Sequence, residues 1–126
     1  GNDTEYAHLL LELAKLYRTS KGDYLKGLQY HELVKSYDDS LLANYIGLME
    51  SNYMLGNYST AFEYSKVLVE NKFPTEQRAL RIAIECSYQA TQYHNTQKYC
   101  SAYLEKWDDA NISELLRQLQ LEIIDR

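Results

Sequence analysis

An all-α fold made of repeated helix pairs is what this sequence predicts, and three observations predict it. Only 5 Gly and 1 Pro occur in 126 residues, too few for a sandwich of many short strands and tight turns. Apolar residues recur at helical spacing through nearly the whole chain. Thirteen tyrosines, against 2 Phe and 1 Trp, fall largely into columns with a period near 34 residues, the mark of internal repetition. The composition, 45% hydrophobic and 25% charged, is that of a globular domain. A single domain of this length buries about two-thirds of its unfolded surface, so it needs no metal or disulfide staple.

Taken in order, Leu9, Leu13, Leu16 and Tyr17 fall at i, i+4, i+7 and i+8, the stripe of an amphipathic first helix. Asp3 or Thr4 can accept hydrogen bonds from the free N–H groups at its start. Thr19-Ser20-Lys21-Gly22-Asp23 then breaks the pattern, with Gly22 able to take positive φ and Asp23 placed to cap the next helix. This second helix carries Tyr24, Leu28, Leu33 and Val34. It runs out at Tyr37-Asp38-Asp39-Ser40, whose last three residues can each cap a third. That third helix bears Leu42, Tyr45, Ile46, Met49 and Tyr53, and Leu55-Gly56-Asn57 turns the chain again. The fourth carries Ala61, Phe62, Tyr64, Ser65 and Leu68 and ends at Asn71-Lys72-Phe73-Pro74, because proline disfavours helical geometry in the residue before it. Thr75 is a cap for a fifth helix over about residues 76–90, and a sixth spans about residues 94–106. Asp108-Asp109-Ala110-Asn111 is a further break, and Asn111 with Glu114 has the spacing of a capping box for a last helix, residues 111–125. The count is about seven helices and no strand.

The helices repeat. Tyr24, Tyr58 and Tyr93 each open a second helix at intervals of 34 and 35, and Tyr30, Tyr64 and Tyr99 repeat the same steps. Tyr17, Tyr53 and Tyr88 make a third column at 36 and 35. Gly27, Ala61 and Thr96, all small, fall between, where a small side chain lets two paired helices approach closely. The flanking tyrosines fill space between hairpins while their hydroxyls reach the surface. One such hairpin cannot bury its apolar face, but several stacked in a row form a continuous core.

These residues resemble the tetratricopeptide repeat family. The clearest copy is 42–74: Tyr45 and Leu48, then Tyr53, Gly56-Asn57-Tyr58, Ala61, Tyr64 and Pro74. The first copy keeps Gly22-Asp23-Tyr24 but has Gly27 at the Ala position and about two extra residues before Gly22; the third has Thr91 for the turn glycine and Thr96 for the alanine. The resemblance covers about residues 4–108. It implies a right-handed α-solenoid of three helix hairpins (4–39, 40–74, 75–108) within a single domain, 1–126, and a C-terminal capping helix or the start of another repeat.

Several functions are disfavoured. Thirteen Lys+Arg against eighteen Asp+Glu give a formal charge of −5, and an acidic domain with dispersed bases repels a phosphate backbone, so no direct nucleic-acid contact is expected. No apolar run approaches the roughly 18 to 20 residues that span a bilayer, so no membrane insertion is expected. Gly1 in place of Met suggests a processed or incomplete start, and Asn2-Asp3-Thr4, Asn57-Tyr58-Ser59 and Asn111-Ile112-Ser113 match the glycosylation acceptor pattern by chance as readily as by function. Cytoplasmic and exported locations both stay open. So does the state of Cys86 and Cys100, either two buried thiols or a disulfide in an oxidising compartment. His8, His31 and His94 form no i, i+4 metal pair, and there is no phosphate loop or nucleophile elbow. Cys86, His94 and Cys100 match no zinc-finger spacing, so no metal, no cofactor and no enzyme activity is expected. A small helical enzyme would instead require a pocket of titratable groups around His94 and Glu85.

The resemblance places the binding surface on the concave face lined by the first helix of each pair, which takes an extended peptide or a partner helix. Carried onto this chain, that face consists of Leu10, Ala14 and Tyr17, then Ile46, Glu50 and Tyr53, then Arg78, Arg81, Glu85 and Tyr88. Arg78 and Arg81 share a helical face and can hold a carboxylate, or they are solvated and paired with Glu85. A family variant that clamps a C-terminal carboxylate with Lys and Asn is not supported, because Leu10, Ala14 and Gly47 stand at those positions and only Arg78 fits. The expected role is therefore non-enzymatic binding of a protein or peptide, with self-association through the same greasy surface also open. The alternative is a sensor or regulatory repeat domain of a bacterial signalling protein, whose kinase or DNA-binding part would lie beyond residue 126.

Overall fold

The computed structural model describes residues 2–72 and 76–124, and every regular element among them is helical. Seven α-helices succeed one another in these residues: α1 (Asn2–Lys15), α2 (Tyr24–Tyr37), α3 (Leu42–Met54), α4 (Tyr58–Glu70), α5 (Glu76–Gln89), α6 (Tyr93–Leu104) and α7 (Ala110–Ile124). A π-helical turn, Leu16–Ser20, continues α1. The helix count matches the periodicity, with ends moved by a residue or two. The expected stop at Phe73-Pro74, the Thr75 cap and Asp125 lie outside the described residues.

Consecutive helices pack on one another along the chain, and α3 also meets α1 and α5. The main apolar cluster runs from α3 to α7 through Met49, Phe62, Leu68, Leu80, Tyr99, Tyr103 and Ile112. A smaller one, Ala7, Leu10, Leu11 and Val34, joins α1 to α2. Each fully buried Leu or Phe here contributes roughly 1.5–3 kcal/mol. Trp107 lies just past α6 and leans on the main cluster, its ring 5.1 Å from that of Tyr103.

Two caps differ from their expected form. Asp23 caps α2 as its position suggests, accepting from Lys26 N–H at 3.1 Å. At α7, however, the cap is Asp109, whose carboxylate accepts from the N–H groups of Asn111 and Ile112 at 2.9 and 3.1 Å. Glu114, the expected partner of Asn111, instead holds Arg117 and Gln118. Before α3, Asp38 accepts from both the N–H and the hydroxyl of Ser40, and Leu41 starts the helix with no side-chain cap.

The three paired helices close with the same bond. Asn57 N–H donates to Asn52 C=O and Gln92 N–H to Ser87 C=O, both at 2.8 Å. In the first pair the donor is Asp23 and the acceptor Tyr17, again at 2.8 Å. One residue more is enclosed there, and the π turn absorbs it, with Lys21 N–H reaching back to Leu16 C=O. Tyr17 therefore aligns with Asn52 and Ser87, and its expected column with Tyr53 and Tyr88 is corrected. The ring pairings agree: Tyr17 stacks on Tyr30, whereas Tyr53 and Tyr88 meet Tyr58 and Tyr93.

The small-residue column has a cause at each level. A Cβ on Gly27 would lie 3.1 Å from Arg18 Cβ, so only glycine admits the bulging π turn without displacement. Thr96 takes the third place because its buried hydroxyl meets that of Ser87 at 2.8 Å. The turn column is less comfortable. Gly22 and Gly56 adopt φ of 62° and 81°, and Thr91 is forced into the same left-handed region at φ 59°. A β-branched residue there costs about 1–2 kcal/mol. Thr91→Gly should therefore stabilise the chain by about 1 kcal/mol, read as a higher midpoint in urea at unchanged m value. An unchanged or lower midpoint would show that the turn is not strained.

Candidate functional site

Helices α3, α5 and α7 enclose a cleft of about 470 Å³. Its walls are Tyr53 from α3, then Arg78, Arg81, Ile82, Ile84, Glu85 and Tyr88 from α5, then Ile112 and Leu115 from α7. Helical spacing explains the α5 contribution: residues 78, 81, 82, 85 and 88 recur at three and four, one stripe along the helix. The lining is apolar and aromatic between two guanidinium groups and one carboxylate.

Both arginines are held from behind. Arg81 donates to Asp109 at 3.0 Å and sits 4.9 Å over the Tyr103 ring. Arg78 donates through Nε to Glu50. These bonds leave further N–H groups of each guanidinium uncommitted, and both side chains are about half exposed. Tyr53 is desolvated and stands near the Glu85 carboxylate, which together hold its phenol protonated beyond its ordinary range. Tyr88 remains exposed at the cleft edge.

Behind Arg78 runs a buried polar chain. The Glu50 carboxylate takes Arg18 Nη1 at 2.6 Å on one oxygen and Arg78 on the other. Arg18 Nε donates to His31 Nε2 at 3.2 Å, and His31 Nδ1 lies 2.8 Å from Asn44 Oδ1. Asn44 Nδ2 donates to the His31 carbonyl at 2.9 Å, which fixes the amide so that Oδ1 faces the ring. His31 Nδ1 must then carry the proton and Nε2 must accept. Gly47 makes room: a Cβ there would fall 2.0 Å from His31 Cε1. Burial above all, with the neighbouring Arg18 charge, lowers the imidazole to about 4, against the opposing pull of Asn44 and Glu50.

Five of the ten expected residues come together in the cleft: Tyr53, Arg78, Arg81, Glu85 and Tyr88. Glu50 lies just behind them, and Ile46 packs against the main core. Leu10 and Ala14 are corrections; at 6% and 0% exposed both are buried in the core, Leu10 in the cluster that includes Val34 of α2. Tyr17 is drawn away to Tyr30 by the π turn. Ile82, Ile84, Ile112 and Leu115 join the cleft in addition to the expected set, although their spacing along α5 and α7 carried the signal. Cys86 and Cys100 are free and buried, their thiols pushed up to about 12 and about 11 chiefly by burial. His94 is exposed, and among the described residues no three His, Cys, Asp or Glu side chains converge as a metal site. No helix among them is long and apolar enough to cross a membrane.

Comparison with protein-family models and with curated protein sequences returns no match for this chain.

The buried chain has two measurable consequences. Unfolded histidine binds a proton near pH 6.5 and folded His31 near 4. Between those values only the unfolded state is protonated, so stability falls as pH drops through that window, by roughly 3 kcal/mol in all. Imidazole ¹⁵N shifts should report neutral Nδ1–H from pH 8 down to about 4; a midpoint near 6.5 would contradict the burial. Separately, Glu50→Gln leaves Arg18 buried without a counter-charge and should cost about 3 kcal/mol, whereas Arg78→Ala, at the exposed end, should cost under about 1. Urea denaturation of the two variants measures that order.

Proposed function

We propose that this chain is a tetratricopeptide-like array, three helix hairpins and a capping helix wound as a right-handed α-solenoid. Its role is to bind a segment of another protein in the cleft between α3, α5 and α7, without catalysis. The cleft itself carries this reading: an apolar, aromatic floor is flanked by two arginines that Glu50 and Asp109 already orient. Such a surface suits apolar side chains of a peptide or helix, with the guanidinium groups free to take a carbonyl or carboxylate. Fixing the arginines beforehand lowers the ordering cost of binding. The in-phase residue columns and the repeated closing bonds support the array.

The test is selection of peptides from a random library on the folded chain, followed by NMR mapping of the bound segment. Shift changes should centre on Tyr53, Ile82, Tyr88 and Leu115. Tyr88→Ala, an exposed change that leaves the core intact, should weaken the selected peptide about tenfold. Peptides whose shifts fall on α2, α4 and α6, and which ignore Tyr88→Ala, would remove the cleft as the site.

A further inference from the structure

The charges lining the cleft are not evenly answered. Arg78 and Arg81 stand toward the start of α5, and each already meets a carboxylate, Glu50 and Asp109 respectively. Glu85 lies one turn further along the same face. It is exposed and takes part in none of the ion pairs among the described residues. Arg81, at i−4, is its nearest cationic neighbour on the helix. That guanidinium is instead drawn to Asp109 and lies 4.9 Å over the Tyr103 ring. The cleft therefore holds one carboxylate without a cation, set among apolar side chains.

Two aromatic rings accompany that carboxylate. Tyr88 follows Glu85 at i+3 on the cleft face of α5 and is 42% exposed, while Tyr53 stands near the carboxylate from α3. Both rings are held by the same pairing, Tyr53 with Tyr58 at 5.9 Å and Tyr88 with Tyr93 at 5.6 Å. A carboxylate beside tyrosine rings suits a cation, which the ring quadrupole and the negative charge both attract. An anion would be repelled there, and a purely apolar group would strip water from the carboxylate and give nothing back.

We propose that the Glu85 end of the cleft is a subsite for a cationic side chain, the Lys or Arg of an apolar segment of a partner protein. This rests on the cleft being the binding surface and adds what the bound segment must carry. Ile82 lies three residues before Glu85, about 4.5 Å along the helix axis, and an extended segment advances about 3.3 Å per residue. The basic residue therefore stands one or two positions from the apolar residue seated on Ile82, Ile112 and Leu115. The uncommitted N–H groups of Arg78 and Arg81 are left for the segment's backbone carbonyls. Further helices continuing the packing order of α1 to α7 would lengthen the walls of this cleft and not fill it, so its occupant comes from outside the row of helices. The formal charge of −5 favours a basic partner over a second copy of the chain.

The experiment selects displayed random heptapeptides on the full chain and, in parallel, on Glu85→Gln, an exposed change of nearly equal volume whose fold is checked by circular dichroism. Peptides selected by the unsubstituted chain should carry Lys or Arg beside an apolar residue, and those selected by Glu85→Gln should not. The strongest peptide is then resynthesised with norleucine for its basic residue. By fluorescence anisotropy that change should weaken binding to the unsubstituted chain about tenfold or more, and to Glu85→Gln under about threefold. Peptides that bind the cleft without a basic residue, or a norleucine penalty equal on both chains, would overturn the inference and leave the cleft as the binding surface. No selected peptide, or NMR shifts that fall outside the cleft, would remove both. Sedimentation equilibrium showing a dimer that Glu85→Gln dissolves would overturn the inference in favour of a second copy.

Discussion

One carboxylate ties the three helix pairs together. Glu50 stands on α3, takes Arg18 from the first pair on one oxygen, and takes Arg78 from the third on the other. It sits where apolar packing is interrupted, between the small α1–α2 cluster and the main cluster of α3 to α7. Removing such charges from water is costly, and their mutual attraction offsets that cost only with good geometry and no polar atom left over. Both conditions are met here. Arg18 also satisfies His31, His31 satisfies Asn44, and Asn44 returns to the His31 backbone. An apolar junction can slide by a turn and still be apolar; this one fits in a single register.

Three local anomalies serve that junction. The π turn swings Arg18 inward, Gly27 leaves space for the Arg18 backbone, and Gly47 leaves space for the imidazole. A helix-interior glycine costs up to about 1 kcal/mol against alanine, so two of them on facing helices need a tertiary reason. Arg18 and His31 supply it. The same carboxylate reaches the cleft, since Arg78 is both the outer end of the polar chain and part of the cleft wall.

The helices were legible because their apolar spacing and turn residues agree locally. The columns Tyr24/Tyr58/Tyr93 and Gly27/Ala61/Thr96 were legible because identical packing problems recur every 34 or 35 residues. The π turn was not, since one enclosed residue changes no residue type. It cost the alignment of Tyr17, and the mistaken inner face of α1 put Leu10 and Ala14 in the groove. The cleft was half legible: α5 announces itself by its spacing, but the share of α7 depends on how that helix docks. The polar chain draws on three separate elements and no motif names it. Gly47 was its one visible trace, a glycine where the helix had no local use for it.

The placement of the single indole gives the chain an optical property of its own. Trp107 lies between α6 and α7, packed on Tyr103 and the main core, while the 13 tyrosines are spread through the other helices. Excited selectively, it emits from one place only, the seam where the last helix joins the rest. A red shift in its emission ahead of the loss of helical ellipticity would time the release of α7 separately from the melting of the remaining helices. The molecule thus carries a clock for its own terminal unit without any added label.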